Sequence, residues 1–132
     1  EILSHQYFLP AAGQGAVGIQ SKINSKFRKI FKSINDEKTE LTIAAERSFL
    51  QTIMANCNSP VSVYAKIEDQ KLILQCQILS HSGELIFDES MSSEPEEGQS
   101  IGRELGINAI QTLGQDTIDK LDNLENDFNY TP

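Results

Sequence analysis

Residues 39–65 read TELTIAAERSFLQTIMANCNSPVSVYA, and the fold follows from how this stretch divides. Its first half has helical spacing. Leu41, Ala44, Ala45, Ser48 and Phe49 form one stripe, and Ile43, Leu50, Ile53 and Met54 widen it. A helix this apolar is buried on most sides, and it is predicted over residues 37–54. The second half alternates from Val61, so a strand is predicted there. Between them a short polar loop presents Cys57, with Asn56, Asn58 and Ser59 beside it and Pro60 after it. A cysteine on a helix-to-strand loop is held from both sides and can be aimed. Glu46 and Arg47 interrupt the apolar helix and leave two readings open. They are a pair of solvated charges, or a buried or interface ion pair that fixes the Cys57 loop.

Downstream, residues 61–68 place Val61, Val63, Ala65 and Ile67 on one face and Ser62, Tyr64, Lys66 and Glu68 on the other. Asp69, Gln70 and Lys71 turn the chain. Residues 72–80 put Leu72, Leu74, Cys76 and Ile78 inward, and residues 81–84 turn again. Residues 85–90 make a shorter, edge-like strand. Short turns imply an antiparallel meander. Residues 91–98 read as a polar, acidic loop containing Pro95. A helix is predicted over 99–113, with Gly102 and Gly106 packed closely on the sheet and Gly114 as its C-cap. A short amphipathic helix follows over 116–124, and residues 126–132 are expected to fray. One apolar sheet face needs a cover, and the helices supply it. The fold class is therefore α+β: a three-stranded antiparallel sheet covered on one face by helices, with an N-terminal extended arm.

Upstream, Gly13-Gln14-Gly15 is a flexible elbow, and residues 16–20 form a short apolar run of strand type. On the residues alone this is either a tight turn before a strand or a place where backbone amides approach a ligand. Residues 24–34 are predicted as an amphipathic helix capped by Asn24 or Ser25, with Phe27, Ile30, Phe31 and Ile34 on one face.

The chain has 132 residues, enough for one domain with a real core. Its net charge of −8 argues against a nucleic-acid partner, which needs clustered Lys and Arg. The one basic cluster, residues 26–32, reads as a solvated helix face. No apolar run approaches the roughly 20 residues needed to span a bilayer, so no membrane partner is expected. Cys57 and Cys76 make neither a disulfide framework nor a zinc site, and no metal is expected. A reducing, cytoplasmic setting fits two such thiols. The chain starts at Glu1 with no initiator Met and no signal peptide, so a fragment is expected. For Cys57, the residues alone allow a bystander thiol or a nucleophile, since a thiolate needs nearby positive charge or backbone dipoles. Cys76 is expected to be inert in the core.

Two motifs carry a family resemblance. One runs Glu46-Arg47-Ser48-Phe49-Leu50, then Cys57-Asn58-Ser59-Pro60-Val61, then Tyr64-Ala65. The other is Leu9-Pro10-Ala11 followed by Gly13-Gln14-Gly15-Ala16-Val17-Gly18-Ile19. Together they resemble the C-terminal part of the porphobilinogen deaminase (hydroxymethylbilane synthase) family, from about Phe8 to Gly114. The resemblance implies that Cys57 carries a dipyrromethane cofactor through a thioether. On that cofactor the family condenses four porphobilinogen units head-to-tail, releasing ammonia, in tetrapyrrole (heme) biosynthesis. It also implies that Gln14 and Gly15 line the pyrrole cleft, and that the full-length enzyme is a monomer.

The resemblance divides the chain into an arm left from the preceding domains (1–22), a cofactor-carrying domain (23–125) and a tail (126–132). It implies that residues 16–20 have lost the sheet they pair with. They are then expected to pair with a second copy or to fold onto their own domain. Three residues depart from the family pattern. Ala55-Asn56 stand where two glycines are usual, and Gln20 stands where a Glu is usual. The family's catalytic aspartate and substrate-holding arginines lie upstream of this chain, so no catalytic residue is expected here and no turnover by the chain alone. The alternative is a non-catalytic α+β interaction module that binds a partner through its sheet face or arm.

Overall fold

The computed structural model describes residues 4–5 and 8–121. The expectations for residues 122–132, including the frayed tail and the end of the last helix, lie outside the described residues. The described elements are α1 (Arg28–Ser33), α2 (Glu37–Thr52), β1 (Val61–Glu68), β2 (Lys71–Leu79), β3 (Leu85–Ser93), a 3₁₀ turn (Pro95–Glu97), α3 (Gly98–Leu113) and α4 (Gln115–Leu121).

The sheet is the expected meander in the order β1-β2-β3, antiparallel throughout. Asp69 and Gln70 both take positive φ, at 48° and 63°, between the paired Glu68 and Lys71. That is the two-residue hairpin turn whose twist matches its strands. The second turn uses Gly83 at φ 84°. The alternation holds on the central strand, where Leu72, Leu74, Cys76 and Ile78 are fully buried. Helices α2 and α3 cover this face and supply Ala45, Phe49, Ile53, Ile101, Leu105 and Ala109 to the core.

Helix α2 starts where the chemistry of Asp36 dictates. Its side chain accepts a 2.7 Å hydrogen bond from the Thr39 N–H, and that bond holds its carboxyl below the usual range. The helix ends in a Schellman arrangement. The Ala55 N–H donates to the Leu50 carbonyl and the Met54 N–H to the Gln51 carbonyl, with Met54 at φ 54°. Among the described residues neither Ala55 nor Asn56 takes positive φ. The left-handed step therefore falls at Met54, one residue before the Ala55-Asn56 pair.

Several expectations need correction. Gly102 and Gly106 pack against α2, not against the sheet. A Cβ on Gly102 would sit 2.4 Å from the Ala45 carbonyl oxygen, and one on Gly106 would sit 2.6 Å from the Thr52 Cβ. The Ser48 hydroxyl spans the same seam and donates to the Gln99 carbonyl at 2.7 Å. Strand β3 runs on through Ser93 into the region read as loop, because Met91 pairs with Leu74 and packs against the core. Pairing with a central strand outweighs local polarity there.

The first helix shrinks to six residues with no buried side chain, and Phe27, Ile30 and Ile34 are exposed. Neither Asn24 nor Ser25 caps it; the Ser25 hydroxyl accepts from the N–H of Phe27, which is itself the N-cap, two residues further on. A helix this short has little stability without a packed face. Residues 16–20 form no strand, and Val17 is 92% exposed. The part of the arm before them, around Pro10 and Gly13, does fold onto its own domain.

Candidate functional site

The Cys57 loop is built by its polar residues. The Asn56 N–H donates to the Ser59 hydroxyl at 2.8 Å, and the Asn58 N–H donates to the Asn56 side-chain oxygen at 2.7 Å. The Ser59 N–H closes back on the Asn56 carbonyl at 3.2 Å. Asn56 thus organises a tight turn in which its side chain mimics a backbone acceptor. Cys57, in the middle of that turn, is a free, exposed thiol. The loop leaves α2 through the Met54 cap and enters β1 at Val61, so both flanks are anchored.

Cys76 is the opposite case. It is fully buried, and burial pushes its thiol far above the ordinary cysteine range. The negative charges of Glu46 and Glu89 push it the same way. The thiolate is the reactive form, so Cys76 is chemically silent while the fold is intact.

The edge of β1 holds a feature that pattern alone did not show. Alternate N–H groups of this edge strand point away from β2. The Val61 N–H is taken by the Ser59 carbonyl, and the Val63 N–H by the Pro10 carbonyl at 3.2 Å. The Ala65 N–H is taken by the Glu46 carboxylate at 2.8 Å. The other oxygen of Glu46 accepts from the Gly13 N–H at 2.7 Å. Glu46 is 4% exposed, the sole buried charged side chain among the described residues. Burial raises its pKa, and the two N–H donors partly offset that rise. Arg47 is exposed and is not paired with it. Neither sequence reading of this dipeptide holds, because the partners of Glu46 are backbone groups of distant segments.

Gln14 and Gly15 form a compact elbow. Gly13 and Gly15 take φ of 70° and 88°, and the Gln14 side-chain oxygen accepts from the Ala11 N–H at 3.3 Å. Both line an open cleft of about 270 Å³ with Pro10, Thr42, Glu46 and Tyr64. A wider cleft of about 1040 Å³ lies between residues 13–19 and the helices, with Arg28, Lys32 and Arg47 on its walls. Cys57 lines neither. The structure therefore brings Gln14 and Gly15 to Glu46, while Cys57 sits on the loop beyond the C-terminal end of α2. Among the described residues, no cluster of three or more His, Cys, Asp or Glu gathers into a metal site, and no helix is long and apolar enough to cross a membrane.

These features define an α+β domain that displays one exposed, free thiol on a hydrogen-bonded loop. A family profile described as "Porphobilinogen deaminase, C-terminal domain" matches residues 40–111, more than half of the chain. The chain belongs to the porphobilinogen deaminase family. Among its relatives, a porphobilinogen deaminase of Geobacillus sp. is 36% identical over 116 residues, covering 86% of this chain and 35% of the relative. That of Syntrophobacter fumaroxidans is 33% identical over 106 residues, covering 80% of this chain and 34% of the relative. That of Chloroherpeton thalassium is 34% identical over 123 residues, covering 89% and 39%. The chain spans little more than a third of the length of these relatives.

Proposed function

We propose that this chain is the cofactor-carrying part of a hydroxymethylbilane synthase, with Cys57 as the covalent anchor. The exposed free thiol on a loop tied at both ends carries this reading. A thioether needs a sulfur that solvent and a substrate can reach, and Cys57 meets that requirement where Cys76 does not. Of the chain's own residues, Cys57 fits the thioether of a dipyrromethane, and Gln14 and Gly15 are the others offered to that group. When bound, that group supplies the pyrrole carbon onto which porphobilinogen units are added.

The chain's own residues do three things. Asn56 and Ser59 hold the Cys57 loop in one shape. The Met54 cap and Val61 fix the loop to α2 and β1. Gln14 and Gly15 offer amide and backbone groups to a pyrrole cleft. Cations to balance a polycarboxylate chain are scarce in a protein of net charge −8. They come from the remainder of the relatives' length, and so does the acid–base group. Residues 1–22 belong with that remainder and residues 23–125 form the carrier domain. The setting is a reducing cytoplasm, and the isolated chain is not expected to turn over substrate.

A chimera tests the reading. The C-terminal third of the Geobacillus relative is replaced by this chain, and the purified protein is treated with Ehrlich's reagent and weighed intact. The expected result is a coloured protein with a dipyrromethane adduct that is absent in Cys57→Ser. A colourless, folded chimera with an unmodified Cys57 overturns it and favours an interaction module.

A further inference from the structure

We infer that Glu46 is a positioning residue, a carboxylate clasp that fixes the elbow at residues 13–15 to the same frame that carries Cys57. The geometry is specific. One oxygen holds the Gly13 N–H at 2.7 Å and the other holds the Ala65 N–H at 2.8 Å. Glu46 itself sits on α2, the helix that leads into the Cys57 loop, and Ala65 sits on β1, the strand that leads out of it. A single side chain therefore joins three segments: the elbow and the two elements flanking the thiol.

Only a carboxylate does this well. Both partners are donors, so the site needs two acceptors. A carboxamide would turn an NH₂ group toward one of the N–H groups. Burying a charge with no cation beside it is unfavourable, and the two N–H donors partly offset that cost. No cation answers this charge among the described residues. Cys76 on β2, whose thiol burial and the Glu46 charge push up, stays a thiol throughout the range where a carboxyl titrates. The backbone donors themselves are what the carboxylate serves. This role rests on the proposed function above for its consequence, since it sets where Gln14 and Gly15 lie relative to Cys57.

The test reads the clasp without reference to any cofactor. In the 132-residue chain, NMR follows the Glu46 side-chain carboxyl carbon and the Gly13 and Ala65 amide protons through pH. The expected result is one shared midpoint for all three. In Glu46→Gln, hydrogen exchange at Gly13 is expected to quicken about tenfold while Leu74 and Leu105 stay within about twofold. A Gly13 amide that ignores the Glu46 titration overturns the inference. So does a variant in which every core amide quickens equally, because that is the mark of a merely structural charge. If the variant fails to fold, the wild-type titration still decides. In the chimera, Glu46→Gln is expected to keep the Cys57 adduct and lose turnover. Absence of the adduct already in the wild-type chimera would strike the proposed function and leave the clasp standing.

Discussion

Met54 holds a backbone conformation that L-residues reach at a cost of about 1–2 kcal/mol. It does so because the Schellman closure of α2 needs a left-handed residue at that point. The side chain is 66% exposed, so little burial offsets the strain. Met54→Gly is therefore expected to raise stability by about 0.5–1 kcal/mol, measured as a shift in urea midpoint at unchanged slope. A drop would mean that the thioether packs in solution more than its exposure implies.

Glu46 gives a second residue-scale expectation. Its folded pKa lies above the value of about 4.3 expected when unfolded. The folded state then binds the extra proton, and its stabilising contribution is complete below that unfolded value. The contribution is lost as pH rises through the folded pKa. The stability of the wild type minus that of Glu46→Gln should thus shrink between pH 4 and pH 7 in urea titrations. A difference that grows over this range would mean that the Gly13 and Ala65 N–H donors outweigh burial in setting the carboxyl's pKa. The exposure of Cys57 was legible in the sequence because small polar residues surround it, whereas the contacts of Glu46 were not. Its partners are the N–H groups of Gly13 and Ala65, 33 and 19 positions away, and backbone donors carry no side-chain signature.

At the scale of elements, the strands were readable because each buried face repeats at period two, and β2 follows that rule at every inward position. Helix α1 was not readable in the same way. Phe27, Ile30 and Ile34 have amphipathic spacing, yet they face solvent. Spacing states that a face could be buried, not that a neighbour is there to bury it. The glycines of α3 show the converse limit. Their presence in a helix announced a close approach, but both α2 and the sheet could have made it. The structure gives α2, with the Ala45 carbonyl where a Gly102 Cβ would be. Gly102→Ala must then push two helices apart by moving backbone, which flexible side chains cannot relieve. The expected loss is about 1–3 kcal/mol despite the better helix propensity of Ala, measured by thermal or urea unfolding. A neutral result would place the α2–α3 seam further apart than described.

Across the whole molecule, the two thiols report on different things, and one alkylation experiment can read both. Cys57 is open to reagent in the native state, while Cys76 sits at 0% exposure on the central strand. Its neighbours on the flanking strands are Val63 and Glu89. Sheet order makes Cys76 hard to reach by a local event. Freeing it requires separating a strand paired on both sides or lifting two helices, and either step removes most of the core. Exchange-type openings of that size approach the global unfolding free energy. Iodoacetamide should therefore modify one cysteine rapidly in buffer and the second only in denaturant. The rate at Cys76 should climb with urea along the slope of equilibrium unfolding, and the rate at Cys57 should hardly change. Mass spectrometry of quenched samples distinguishes the two sites. Fast labelling of Cys76 in plain buffer would show that the sheet opens well below the global free energy, and a slow Cys57 would remove the accessibility on which the anchoring role depends.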